Sequence, residues 1–436
     1  MLLNAADKAL WRLALPMIFS NITVPLLGLV DTAVIGHLDS PVYLGGVAVG
    51  ATATSFLFML LLFLRMSTTG LTAQAWGAKD PQRLARALVQ PLALALGAGV
   101  LIILLRLPLI DLALHIVGGS EAVLEQARRF LEIRWLSAPA SLANLVLLGW
   151  LLGVQYARAP VILLVVGNLL NIVLDLWLVM GLRMNVQGAA LATVTAEYAT
   201  LIIGLLMAKR VLTLRGVSLA MLKNAWRGDL RRLLALNRDI MLRSLLLQLC
   251  FGALTVFGAR LGSDIVAVNA VLMTMLTFTA YALDGFAYAV EAHSGQAYGA
   301  RDGSQLLEVW RAACRQSGMV ALAFALIYSL AGQYIIALLT SLPSLQQLAD
   351  RYLIWQTILP VVGVWCYLLD GMFIGATRGA EMRNSMAVAA AGFAVTLLTL
   401  PVLGNHGLWL AVFLALRGLS LALIWRRHWR RGTWFS

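Results

Sequence analysis

Long apolar runs alternate with short polar breaks along the whole chain. The breaks mark predicted spans near 10–36, 42–75, 86–117, 122–156, 159–181, 187–210, 232–260, 264–298, 306–341, 346–377, 383–403 and 405–426. Each reaches the length of about 20 mostly apolar residues that a helix needs to cross the hydrocarbon layer. The longer ones must tilt, kink or project into water. The pattern predicts an all-α integral membrane protein with twelve transmembrane helices. The longest polar connection separates two sets of six. It gives an N-terminal six-helix lobe over 1–210, a cytoplasmic linker over 211–231 and a C-terminal six-helix lobe over 232–436. The stretch around Leu219 to Trp226 in the linker reads as amphipathic and suited to the membrane surface.

The halves echo each other. Ala73-Gln74-Ala75-Trp76-Gly77-Ala78-Lys79-Asp80 returns 222 positions later as Gly295-Gln296-Ala297-Tyr298-Gly299-Ala300-Arg301-Asp302. At the same shift, Leu148-Gly149-Trp150-Leu151-Leu152-Gly153 is matched by Asp370-Gly371-Met372-Phe373-Ile374-Gly375. A looser pair, Gly188-Ala189-Ala190-Leu191-Ala192 and Gly407-Leu408-Trp409-Leu410-Ala411, follows in the same order. An apolar chain built twice predicts two pseudo-symmetric lobes and points to a transporter, in which two bundles rock about a site held between them.

Composition agrees with the hydropathy pattern. Of 436 residues 61% are apolar and 12% charged, against about 25% charged in a soluble chain. A net charge of +13 raises the question of nucleic acid, and its distribution answers it. With the N-terminus inside, 22 Lys and Arg fall on the inner segments. Only six, Arg128, Arg129, Arg134, Arg183, Arg260 and Arg351, fall on the outer ones. The bias places both termini in the cytoplasm, so the charge is explained by topology and no nucleic-acid partner is expected. No cleavable signal is expected at the N-terminus, because its first apolar run is too long for one. Cys250, Cys314 and Cys366 have unrelated spacings, which predicts neither disulfides nor a metal site. There is no Gly-rich phosphate loop or nucleophile elbow, so an ATP-driven pump has no support. No cofactor is implied, and the energy must come from an ion gradient.

Ionisable groups at bilayer depth are costly and therefore informative. Asp31 lies about five residues before the outer end of the first span, and Asp175 about six before that of the fifth, so both sit roughly 8–9 Å below the outer surface. Equal depth allows two acids to share a pocket, where burial and like charge raise a pKa toward neutrality. Asn168, Asn171 and Asp175 occupy one helical face, and Thr193 and Glu197 another. In the second half Asp284 and Glu291 share a face and Asp370 lies in the tenth span. Glu291 stands nearer the cytoplasmic end, within range of His293 or Arg301. The deep ionisable residues read as mostly acidic, with Arg65, a potential counter-ion, as the main exception. His37, His115 and His406 fall at span ends. Pro16 interrupts the first span and permits a bend; it reads either as a first-turn proline or as a hinge.

Pro16, the run Asp31-Thr32-Ala33-Val34-Ile35-Gly36-His37-Leu38, Asn171-x-x-x-Asp175, Gly188-Ala189-Ala190-Leu191-Ala192-Thr193 and Gln74-Ala75-Trp76-Gly77-Ala78 with its repeat together resemble the multidrug and toxic compound extrusion (MATE) family. The resemblance spans the whole chain. It implies antiport, with an ion entering as an amphipathic, often cationic, compound leaves. It places ion coupling on Asp31, Asn171, Asp175 and Thr193 and an amide on Asn144, with bending at Pro16 or direct competition for the acid as alternative mechanisms. Family members with a C-lobe sodium site carry an acid in the seventh span. This chain has Leu246-Leu247-Gln248-Leu249-Cys250 there, although Asp370 matches the tenth-span acid.

The sequence thus reads as a monomeric secondary antiporter in the bacterial inner membrane. It is expected to export amphipathic, cationic organic compounds in exchange for protons. Coupling falls on Asp31, Asn171, Asp175 and Thr193, and the substrate-cavity candidates are Asn144, Asn168, Glu197, Asp284, Glu291 and Asp370. An acidic cavity favours lipophilic cations by concentrating them. Three alternatives stand beside this: sodium coupling, a lipid-linked saccharide flippase, and a membrane-embedded enzyme. A flippase would call for extra spans or a cationic cavity. An enzyme would need a nucleophile and base at one depth, and the histidines are scattered.

Overall fold

The computed structural model describes residues 5–36, 38, 41–228, 230–409 and 411–435, with the side chains of all of these except 22–33, 36, 219 and 411. No strand occurs among the described residues. In the first half the helices are α1 (Ala5–Gly36), α2 (Pro41–Leu60), α3 (Phe63–Gly77), α4 (Pro81–Leu104), α5 (Arg106–Val117), α6 (Glu121–Arg134), α7 (Ala138–Gly153), α8 (Arg158–Asp175) and α9 (Asn185–Leu214). The short α10 (Leu219–Asn224) precedes α11 (Leu230–Leu261), α12 (Ser263–Gly299), α13 (Gly303–Leu339), α14 (Pro343–Gly375), α15 (Gly379–Leu397), α16 (Leu400–Leu403) and α17 (Ala411–Arg431).

Nine helices among the described residues are long and apolar enough to cross a membrane. The bent pair Gly379–Leu397 and Leu400–Leu408 makes a tenth, and α1 and α17, of 32 and 21 residues, have the length of the two remaining expected spans. Two predicted boundaries move. The span expected over 86–117 is α4, which ends at Leu104, followed by the separate α5. The spans expected over 383–403 and 405–426 are the bent pair and α17, whose last turns continue through the basic residues to Arg431. Hydropathy averaging misses a break that stays apolar, and it stops early where a helix leaves the bilayer.

Contacts divide the chain into two compact units, Met1–Asn21 with Leu234–Ser436, and Ile22–Leu233. The first turns of α1 therefore group with the second half of the chain. Asp7 is 5% exposed and accepts from Arg315 at 3.0 and 3.1 Å, while Gln316 donates to its backbone carbonyl at 2.9 Å. Farther along α1, Asn21 donates to the carbonyl of Tyr281 at 3.2 Å.

The sequence repeat is reproduced in the packing. Helix association in lipid relies on close approach, since apolar side chains gain little by leaving acyl chains for one another. In the Ile22–Leu233 unit, a Cβ on Gly149 would stand 2.6 Å from the carbonyl oxygen of Arg65, and one on Gly153 2.7 Å from Cβ of Thr72. In the other unit, Gly371 would meet the carbonyl of Ala287 at 2.7 Å and Gly375 the hydroxyl of Ser294 at 2.5 Å. All four contacts map onto one another with the 222-residue shift of the sequence motifs. So α7 seats on α3 as α14 seats on α12. The turns that follow match as well: Lys79 and Arg301 both take φ of 54°. Asp80 and Asp302 then cap α4 and α13 by accepting from backbone N–H groups, which satisfies donors otherwise left without partners.

Candidate functional site

In the Ile22–Leu233 unit the predicted polar residues gather along α9. Thr193 and Glu197, one turn apart, reach opposite neighbours. Asn171 on α8, 2% exposed, donates to the Thr193 hydroxyl at 3.5 Å, and that hydroxyl donates to the carbonyl of Ala189 at 3.2 Å. Asn144 on α7 donates both to the Glu197 carboxylate at 3.0 Å and to its backbone carbonyl at 3.1 Å. Arg134, at the end of α6, comes within 3.9 Å of the same carboxylate. Asp175 closes α8 one turn beyond Asn171 and is 1% exposed. Asn168, a turn earlier, is half-buried. The backbone then passes into a π-helical turn, Leu176–Gly181, a feature found often at functional sites. Arg65 is 1% exposed on α3 and donates to Thr69 at 3.3 Å.

Asp31 lies outside the residues whose side chains are described. Pro16 is half-buried, and α1 continues through it as one helix.

The second unit differs from the expectation of an acidic interior. Arg243 on α11 and Arg417 on α17 are 5% and 4% exposed, so Arg65 is not the main exception among buried charges. Both side chains converge on Asp370 of α14. Arg417 Nη2 meets Oδ1, and Arg243 Nη2 meets Oδ2, each at 2.5 Å. Asp284, half-buried on α12, is within electrostatic reach of Arg243. The arrangement can be read physically: each oxygen of Asp370 already holds a cation. A signal for it existed in the sequence, since Arg243 and Arg417 each interrupt an apolar run well inside a span.

Glu291 is 1% exposed on α12. His293 turns to another group, with Nε2 3.2 Å from the carbonyl of Ala9 on α1. Among the described residues no group of three or more His, Cys, Asp or Glu is arranged to hold a metal ion.

A bundle of this architecture, with paired glycine-seated helices and a buried polar network in each unit, defines a membrane transporter fold of two repeats. The chain belongs to the MatE family, which it matches over residues 16–177 and 240–403. It is 87% identical to the DNA damage-inducible protein F of Escherichia coli (strain K12), covering 100% of this chain and 95% of that one. It is 23% identical to a probable multidrug resistance protein NorM of Acinetobacter baylyi, over 96% of this chain and 94% of that protein. Its fold matches the crystal structure of a MATE protein in complex with MaD3S with a TM-score of 0.83 at 23% identity, covering 99% of this chain and 97% of that one.

Proposed function

We propose that the protein is a proton-coupled antiporter that exports amphipathic, cationic organic compounds, with Asp31, Asn171, Asp175 and Thr193 as the coupling group. The observation that carries this reading is the burial of Asp175, 1% exposed, one turn from an amide that is itself 2% exposed and bonded to Thr193. An ionisable group at bilayer depth marks an ion pathway by default, and Asp175 shares its helical face with Asn171. Glu197, with Asn144 and Arg134, extends the polar strip along α9 and is assigned to substrate contact, together with Asn168.

The C-terminal half supports protons over sodium. Asp370 matches the tenth-span acid expected of a sodium site, but both its oxygens are engaged by guanidiniums. A cation would have to displace one of them. Asp284 and Glu291 remain supporting residues of that half. The transport lobes follow the repeats, 1–210 and 232–436, joined by the linker 211–231, with Pro16 as the hinge of the first helix. The protein acts as a monomer without a cofactor, spans the bacterial inner membrane with both termini in the cytoplasm, and is not an enzyme. The multidrug names of relatives fit this reading.

The test is transport in proteoliposomes. A pH gradient alone should drive movement of a lipophilic cationic dye, and collapsing that gradient should stop it. Dye movement that requires a sodium gradient and ignores pH would overturn the coupling assignment.

A further inference from the structure

We propose that the groove between α15 and the C-terminal end of α17 is a built site for the headgroup of an anionic phospholipid. Exposed side chains on α17 locate the level of the membrane surface. Leu419 and Leu423 are 58% and 57% exposed, as expected where a helix meets acyl chains. Two turns on, the same face carries Arg426 and Arg430, both exposed. The change from leucine to arginine marks the passage from hydrocarbon to headgroups. Trp425 and Trp429, with ring centroids 6.1 Å apart, sit at this level, which indole rings favour. On α15, Val388 is 52% exposed and Asn384, one turn toward the same end, is exposed and polar.

At that level the two helices leave a cavity of about 450 Å³, lined by Arg427, Arg431, His428, Asn384, Ile424 and Thr433. Glu381 also reaches it, and its charge is balanced by Arg378, whose Nη1 is 3.2 Å from Oε1, the same oxygen that His428 approaches at 2.7 Å. No carboxylate among the described residues pairs with Arg427 or Arg431, so the cavity's uncompensated charges are two guanidiniums. Its far wall is held in place. Thr433 Oγ1 lies 2.8 Å from His428 Nδ1, and Arg378 donates to the carbonyls of Thr433 and Trp434 at 2.9 and 2.8 Å. Trp434 is 1% exposed. The chain after α17 therefore forms a fixed wall for the cavity.

The chemistry selects a phosphodiester joined to acyl chains. Two guanidiniums give charge-assisted bonds to the phosphate oxygens, and the Asn384 amide can bond a glycerol oxygen. Leu419, Leu423 and Val388 offer the adjoining apolar surface. A zwitterionic headgroup would bring its ammonium against Arg427 and Arg431. Basic residues at a membrane surface attract anionic lipid in this way, and the cavity adds a defined position for it.

The full chain, purified in detergent, is examined by native mass spectrometry with phosphatidylglycerol, phosphatidylethanolamine or an excess of inorganic phosphate. The wild type should retain phosphatidylglycerol in preference to phosphatidylethanolamine, and inorganic phosphate should not displace it. Arg427→Gln with Arg431→Gln should weaken that retention about tenfold or more, given the contribution of each charge near a lipid surface. Arg426→Gln with Arg430→Gln, which removes the same charge from the neighbouring stripe, should leave it close to wild type. All four positions are exposed, and matched thermal melts check that folding is intact. Equal losses in the two double variants, equal retention of the two lipids, or displacement by phosphate would each overturn the site.

Discussion

Asp370 and Arg417 meet at 2.5 Å in a place where water hardly reaches, the carboxylate 8% and the guanidinium 4% exposed. With Arg243 on the other oxygen, the acid is part of the architecture of its unit. Taking one partner from a buried ion pair typically costs about 3–5 kcal/mol, because a charge is left without compensation. Asp370→Asn should therefore lower the thermal stability of the purified protein by an amount of that order. The triple variant Asp370→Leu, Arg243→Met, Arg417→Met should recover much of it. Normal stability in the single variant would show that the pair contributes little.

Asp175→Asn keeps size and hydrogen-bonding capacity while removing titration. It should leave expression and melting near wild type and abolish proton-driven dye transport. Asp31→Asn should do the same. The double variant should be little worse than either alone, since residues serving one step do not act additively. Losses that multiply would assign the two acids to separate steps.

Asn144 donates twice to Glu197, to its side chain and to its backbone. Asn144→Ala should cost about 1–3 kcal/mol, through desolvated acceptors left without their donor, and should raise the apparent KM for the exported dye. Glu197→Gln should raise KM with little change in stability, because the amide can still accept from Asn144. A variant of Glu197 with unaltered KM would remove it from substrate contact.

The glycine pairs make a symmetric prediction. Alanine at Gly149 or Gly371 would bring Cβ to 2.6 or 2.7 Å from a backbone carbonyl, which cannot be relieved by rotating a side chain. Both variants should express poorly and melt early, to similar degrees. Gly97→Ala has nothing within 4 Å of its Cβ and should be neutral or slightly stabilising, by at most about 1 kcal/mol. The comparison is read from the fraction of monodisperse protein after purification.

Much of this protein was legible in its sequence, because lipid removes most alternatives. A chain that must satisfy every backbone group internally at membrane depth has to be helical there, so apolar run length alone predicts the spans. The repeat was legible too, since Gly149, Gly153, Gly371 and Gly375 cannot vary freely where helices touch. Side-chain spacing placed Asn171 with Asp175, and Thr193 with Glu197, because one helix fixes its own faces. Spacing within a helix says nothing about what stands opposite. The family resemblance grouped Asn171 with Thr193, but only the tertiary structure gave their contact and brought Asn144 to Glu197. It also brought Arg243, Asp370 and Arg417 together from three separate helices, and it grouped the start of α1 with the second half through Asp7 and Arg315. These contacts depend on which helices pack side by side and at what depth. That is decided by the whole bundle, whereas hydropathy and periodicity are properties of each segment alone.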